Sequence, residues 1–347
     1  MMKRFLLILL SLGLLISIFC LWQPFKAQAQ AKHVIKIGTL APDGSTWVNI
    51  IREYTDKIEK ASSGQISFVY YNGGVAGEER DMLRKMKMGQ LQAAGFSGYG
   101  LGIAAPAARI MELPFLFNTY DEIDYVFERA KADFFTEFKR KGYIPLVYSE
   151  MGFVYLFVDK KIEKTIDLNT LKAWSRTGDE LSEEIFFKAL KGTITPVNLP
   201  VTEVLTSLQT GLINSVYGTH LVVLALQWYP YTKYVIDVPI IYATGVLAIN
   251  ASDFYKLPPN IQTMLLKEGD IATKKMSEAT RRDNALARQG FIEQGIKYEK
   301  PPEEVIAELR TKTHMVYETL QGRFYDKAFL DKILKLRDEA RTKGVKK

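Results

Sequence analysis

The sequence predicts an α/β protein of two lobes joined by a hinge. Three observations carry this. A chain of 347 residues with 47% hydrophobic content is large enough for two compact domains. Segments of period-two hydrophobicity alternate with segments of helical spacing. That alternation is interrupted at Leu113-Pro114-Phe115-Leu116-Phe117, and after a break near residue 150 the same scheme starts again. Such an order implies a mainly parallel sheet with helices on both faces.

The elements follow in order. His33 to Leu40 alternates as a strand, and Ala41-Pro42-Asp43-Gly44-Ser45 supplies a turn and an N-cap. Trp47, Ile50, Ile51, Tyr54 and Ile58 then recur at helical spacing, and Ser62-Ser63-Gly64 stops that helix before a strand over Gln65 to Tyr71. A helix opening at Gly77-Glu78-Glu79 and a strand over Leu91 to Ser97 continue the rhythm, and Asp121 to Lys141 is an amphipathic helix. Tyr143 to Val158 reads as two apolar strands broken at Glu150-Met151-Gly152, where the chain first crosses between lobes. Beyond it come strand Leu171–Arg176, helix Asp179–Leu190, strand Ile194–Leu199, helix Val201–Gln209 and strand Gly211–Tyr217. Val235 to Asn250 is the return crossing, Pro259 to Gly290 one long helix, and Pro302 to Lys343 two closing helices. The expected division is lobe I over 32–151 and 244–282, lobe II over 152–243 and 283–330, and a C-terminal helix or tail over 331–347.

Ahead of the lobes, Met1 to Arg4 is positive and Phe5 to Trp22 is apolar. Ala27-Gln28-Ala29 or Ala29-Gln30-Ala31 offers the small-x-small site of a secretory signal over residues 1–31. An uncleaved anchor is the alternative, since the apolar run of 18 residues is at the lower limit for spanning a bilayer. The single cysteine, Cys20, lies in that run, and Phe19 before it is too large for a lipidation signal. Cleavage therefore leaves no disulfide, thiol nucleophile or thiolate metal site. The net charge is +7, but residues 1–31 hold three basic residues and no acid, leaving 43 Lys and Arg against 39 Asp and Glu. These are interleaved, which argues against a nucleic-acid partner.

Motifs for catalysis are scarce. His33, His220 and His314 have no metal-ligand spacing, so neither a metal nor a cofactor is expected. Gly98-Tyr-Gly-Leu-Gly102 lacks the following Lys-Ser/Thr of a phosphate loop and reads as a strand-to-helix turn. Glu78-Glu79 reads as acids complementing a helix dipole, with ligand contact the sharper alternative. An enzyme reading needs Glu79 and His220 as an acid/base pair for hydrolysis or elimination.

Motif order over almost the whole chain after the signal resembles the DctP-type solute-binding proteins of tripartite ATP-independent periplasmic (TRAP) transporters. The carriers are Lys36-Ile-Gly-Thr-Leu40, Tyr71-Asn-Gly-Gly-Val-Ala-Gly-Glu-Glu-Arg80, Met88-Gly-Gln-Leu91, Glu112-Leu-Pro-Phe-Leu-Phe117, Asp167-Leu-Asn-Thr-Leu-Lys172, Pro200-Val-Thr-Glu-Val-Leu205 with Leu208-Gln-Thr-Gly211, and Lys256-Leu-Pro-Pro259. The resemblance implies a type II periplasmic binding protein fold with a long domain-spanning helix. It also implies a periplasmic receptor, without catalysis, that closes on a solute and delivers it to TRAP permease subunits.

Departures from the family pattern bear on the ligand. The arginine that family members place after the Asp-Leu-x-Gly-x-Lys segment falls here on Trp174, with Arg176 two residues on. A second basic position falls on Val154. The acid and amide after the Gln-Thr-Gly turn become Tyr217 and Gly218, following Asn214. Further lining positions map to Leu40, Phe96 and Val201, and the first-lobe acid to Glu79. Joint loss of polar groups leads us to expect a hydrophobic or amphipathic ligand such as a fatty acid, aromatic acid or lipid. The resemblance extends to members with apolar clefts that work with a periplasmic tetratricopeptide-repeat protein, which adds that partner. The alternative is a two-residue shift, which keeps the strand face and makes Arg176 a clamp for a small organic acid.

Overall fold

The computed structural model describes residues 33–343, so the secretory signal expected over 1–31 and Cys20 lie outside the described residues. One sheet of nine strands runs through the molecule: β1 (His33–Gly38), β2 (Ile66–Tyr71), β3 (Ala93–Ser97), β4 (Tyr143–Val158), β5 (Lys172–Arg176), β6 (Thr195–Leu199), β7 (Ser215–Gly218), β8 (Tyr234–Asn250) and β9 (Lys297–Glu299). Its order is β2-β1-β3-β8-β4-β7-β5-β6, with β9 on β8. The helices are α1 (Thr46–Ala61), α2 (Glu79–Lys87), α3 (Gly98–Ala104), α4 (Tyr120–Arg140), α5 (Glu180–Glu183), α6 (Val204–Gln209), α7 (His220–Ala225), α8 (Ala251–Phe254), α9 (Pro259–Glu293), α10 (Glu303–Thr319) and α11 (Lys327–Thr342).

The expected parallel pairing holds at each end, where β1 pairs β2 and β3, and β5 pairs β6 and β7. At the centre it fails. The long strands β4 and β8 run antiparallel to each other, β8 runs antiparallel to β3 and β4 antiparallel to β7, so the two ends form one mixed sheet. The physical reason is connectivity: a chain that crosses to the second lobe and returns lays its two crossings side by side in opposite directions. The two strands expected over Tyr143 to Val158 are also one. The break at Glu150-Met151-Gly152 is a register shift inside β4, with Gly152 at φ 102°. A side chain there is strained, and a Cβ would lie 2.7 Å from Asn284 Nδ2.

Helix α1 begins at the predicted cap, Ser45, whose side chain accepts from Val48 N, and buries Val48, Ile51, Tyr54 and Ile58. Its neighbour α9 is a 35-residue helix that packs along β4. The approach is close enough that a Cβ on Gly269 would meet Leu146 O at 1.9 Å. Farther along α9, Asn284 Nδ2 donates to Met151 O (2.9 Å) and Asn284 Oδ1 accepts from Leu221 N (3.0 Å). Arg281 beside it grips buried Glu150, which also accepts from Tyr242 OH.

In the second half, the helix expected over Asp179 to Leu190 continues from α5 as a π-helical turn over Glu184–Ala189, and the strand expected over Gly211 to Tyr217 shortens to β7. Helix α10 packs on that π turn, whereas α11 crosses back to α4, where Lys332 pairs with Asp133 and Arg341 with Glu122. Within the segment expected as a C-terminal helix or tail, the described residues continue α11 as far as Thr342, docked on α4.

Candidate ligand cleft

The C-terminal ends of β3 and β5 meet, with Arg176 at the end of one and Ser97 at the end of the other. From lobe I, β3 ends at Ser97 and leads directly into α3. Glu79, at the start of α2, is turned inward rather than toward solvent. Its carboxylate accepts from Ser97 N (2.9 Å), Ser97 Oγ (3.0 Å) and Gly100 N (2.6 Å). The glycines after β3 thus serve more than a turn: a Cβ on Gly100 would sit 2.6 Å from Phe96 Cδ1 and 2.8 Å from Glu79 Oε2.

From lobe II, β5 ends at Arg176, and its guanidinium reaches across. Nη1 donates to Ser97 Oγ (3.3 Å) and Nη2 to Glu78 Oε2 (3.0 Å), while the group lies 4.3 Å from the centre of the Tyr99 ring. Burial opposes its charge, but Glu79, Glu78 and Asp179 outweigh that and hold its pKa above the ordinary value. Arg176 is therefore a permanent cation at the lobe junction. A second bridge joins Arg109, in the 3₁₀ turn Pro106–Glu112, to Asp179, which caps α5.

Trp174 shares the strand face of Arg176 but is core. It is 5% exposed, its Nε1 donates to Leu199 O (2.9 Å), and its ring packs edge-on against Trp228. Tyr217 stacks on Trp174 and on Phe186, and its hydroxyl shares a hydrogen bond with Ser182 Oγ (3.1 Å). Burial, then Asp179, pushes the Tyr217 phenol up to about 12.

The other expected lining positions are dispersed. Asn214 lies at the opposite end of β5 from Arg176, where its Oδ1 accepts from Lys172 N and its Nδ2 donates to Thr170 O. Val154 is buried in β4 opposite Ile241, and Gly218 pairs with Tyr155, with Val223 against its Cα. Val201 is half-buried and packs with the Trp174 cluster, Leu40 is half-buried near Gly74, and Phe96 is buried against Gly100.

The acid/base pair of the enzyme reading is not assembled. Glu79 is committed to Ser97 and Gly100, whereas His220 packs among Tyr155, Phe157, Phe291 and Tyr298, and no hydrogen bond joins the two. Burial, reinforced by Arg288, lowers His220 to about 4 and keeps it neutral. Ser97, Tyr99, Arg109 and Asp179 were missed in the sequence. The glycine run directly after a strand was the one signal pointing to the first two.

Among the described residues no helix is long and apolar enough to cross a membrane. Comparison with known proteins finds that the family described as bacterial extracellular solute-binding protein, family 7 (DctP), matches residues 37–323. An uncharacterized protein of Haemophilus influenzae is 24% identical over 302 residues, covering 86% of this chain and 90% of that one. Among solved structures, the sugar acid binding protein of Advenella mimigardefordensis in complex with galactonate superposes with a TM-score of 0.79 at 19% identity, covering 90% of this chain and 99% of that one. A TRAP periplasmic solute binding protein from Haemophilus influenzae with bound L-gulonate gives 0.78 at 20% identity, covering 89% and 99%.

Proposed function

Because the chain belongs to family 7 of the bacterial extracellular solute-binding proteins, the DctP-type receptors of TRAP transporters, we propose that its ligand is a small organic acid clamped by Arg176. The observation that supports this is the position of Arg176, a charged fork carried by lobe II that reaches Ser97 and Glu78 of lobe I. A guanidinium binds a carboxylate with two parallel charge-assisted bonds, and a ligand carboxylate arriving there takes the place of Glu78. Tyr99 backs the fork with its π face. The relatives solved with galactonate and L-gulonate support the same ligand class.

The apolar-ligand reading rested on several positions changing together to apolar or aromatic groups, and of these Trp174 and Val154 are buried in the core. The tetratricopeptide-repeat partner belongs to that reading alone. The proposed lobes meet at the β4 shift over Glu150–Gly152 and at Thr244 on β8, so closure bends these two strands. Ligand delivery to TRAP permease subunits completes the proposed cycle.

The test is calorimetric titration with a panel of sugar acids, succinate and a medium-chain fatty acid, on wild type and Arg176→Lys. Saturable binding of a hydrophilic acid, weakened about 30-fold by the loss of the fork, or roughly 2 kcal/mol, is expected. Binding of the fatty acid alone, unchanged in Arg176→Lys, overturns the reading and restores the apolar cleft.

A further inference from the structure

We infer that Arg109 and Asp179 form a built-in latch that holds the two lobes closed without ligand. The inference rests on the two-lobed reading and not on the ligand class. Arg109 belongs to lobe I and Asp179 to lobe II. Both terminal nitrogens of Arg109 address the Asp179 carboxylate, Nη2 at 3.4 Å from Oδ2. On its other side the guanidinium is held by Glu112, with Nε at 3.0 Å and Nη2 at 2.9 Å from Oε2. The remaining oxygen of Glu112 accepts from Thr244 N (2.9 Å) and Thr244 Oγ1 (2.6 Å) on β8. A continuous polar chain therefore runs from the cap of α5 in lobe II, through Arg109, to the crossing strand.

The three charged side chains are 6%, 9% and 4% exposed, which separates this bridge from that of Arg176 with Glu78, at 12% and 31%. A more exposed carboxylate can exchange for that of a ligand. The Arg109 bridge is withdrawn from solvent and weakly screened by salt, so a ligand at Arg176 leaves it intact. Its geometry is complementary: Asp179 also accepts from Leu181 N (3.2 Å), and Glu112 is satisfied on both oxygens, which is what a buried ion pair needs to offset its desolvation. Opening the lobes separates Arg109 from Asp179 while Glu112 keeps its hold on Arg109. The closed form is thus favoured before any ligand enters, and ligand entry waits on a minor open form.

Small-angle X-ray scattering tests this without any ligand. The protein is unfolded in urea to release bound molecules, refolded, and compared with Asp179→Asn, whose side-chain oxygen still caps Leu181. We expect wild-type scattering to match the closed structure and Asp179→Asn to shift to a larger radius of gyration. Wild-type scattering that requires an open form overturns the latch, as does Asp179→Asn scattering that superimposes on a closed wild type. Circular dichroism checks that the variant is folded, and Arg109→Gln gives the same comparison if it is not. Failure of the organic-acid reading leaves all these outcomes unchanged.

Discussion

The indole of Trp174 and the phenol of Tyr217 stack with centroids 4.8 Å apart and planes 15° from parallel. Aromatic pairs in that offset geometry contribute about 0.5–1.5 kcal/mol beyond their buried area. With Trp228 edge-on to the indole, the stack organises the lobe II core directly behind Arg176.

Trp174→Ala therefore acts on stability. Removing a buried tryptophan costs about 3–5 kcal/mol, and it also leaves Leu199 O without its indole donor. Urea unfolding followed by circular dichroism should show a midpoint well below wild type; an unchanged midpoint would put the side chain outside the core.

Glu79→Gln turns an amide NH₂ toward the backbone N–H groups of Ser97 or Gly100, which the carboxylate satisfies. A loss of about 1–3 kcal/mol in thermal or urea stability is expected. With the amide NH₂ on the Gly100 side, Ser97 Oγ accepts where it donated before and turns relative to Arg176, so organic-acid affinity falls as well. Full retention of both would show that the inward turn of Glu79 is incidental.

His220 carries a pH prediction. Its pKa falls from the ordinary 6.5 to about 4 in the folded chain, so between those values the unfolded chain binds more protons and stability rises with pH. That stability is complete above the unfolded value and is lost on acidification through this window, up to about 3 kcal/mol by pH 4. In His220→Phe the pH 4–6.5 segment of the stability curve should be flatter than in wild type; equal slopes would mean that His220 is solvated.

Two glycines of α9 make a matched pair. Gly290 has nothing within 4 Å of an added Cβ, so Gly290→Ala should add roughly 0.5–1 kcal/mol through helix propensity. At Gly269 the added Cβ meets Leu146 O at 1.9 Å, so Gly269→Ala should be destabilising by at least about 1–3 kcal/mol despite the same propensity gain. Thermal shifts of opposite sign are the expected readout, and a stabilising Gly269→Ala would refute the close approach of α9 to β4.

Local features were legible in the sequence where one residue type has one use. Ser45 capped α1 as read, the long α9 appeared from its periodicity, and the interruption at Glu150-Met151-Gly152 marked an irregular point of the chain. Whether that point ends one strand or bulges within it depends on the partner β8, about 90 residues later, which local pattern does not report. The same holds at β5. Trp174 and Arg176 lie on one face, so alternation cannot say which reaches the cleft. The choice depends on Trp228 and Tyr217 receiving the indole and on Ser97 and Glu78 receiving the guanidinium. Arg109 and Asp179 lie 70 positions apart, and neither stands in a motif.

Helix α9 is seated against β4 at Gly269 and tied through Asn284 to both Met151 and Leu221. Thirty-five residues make a splint about 52 Å long. A rigid rod fastened on each side of a bend removes sliding and leaves rotation about a single axis. In the proposed closure the faces of the two lobes then turn together about that axis, so a permease touching both faces tells open from closed.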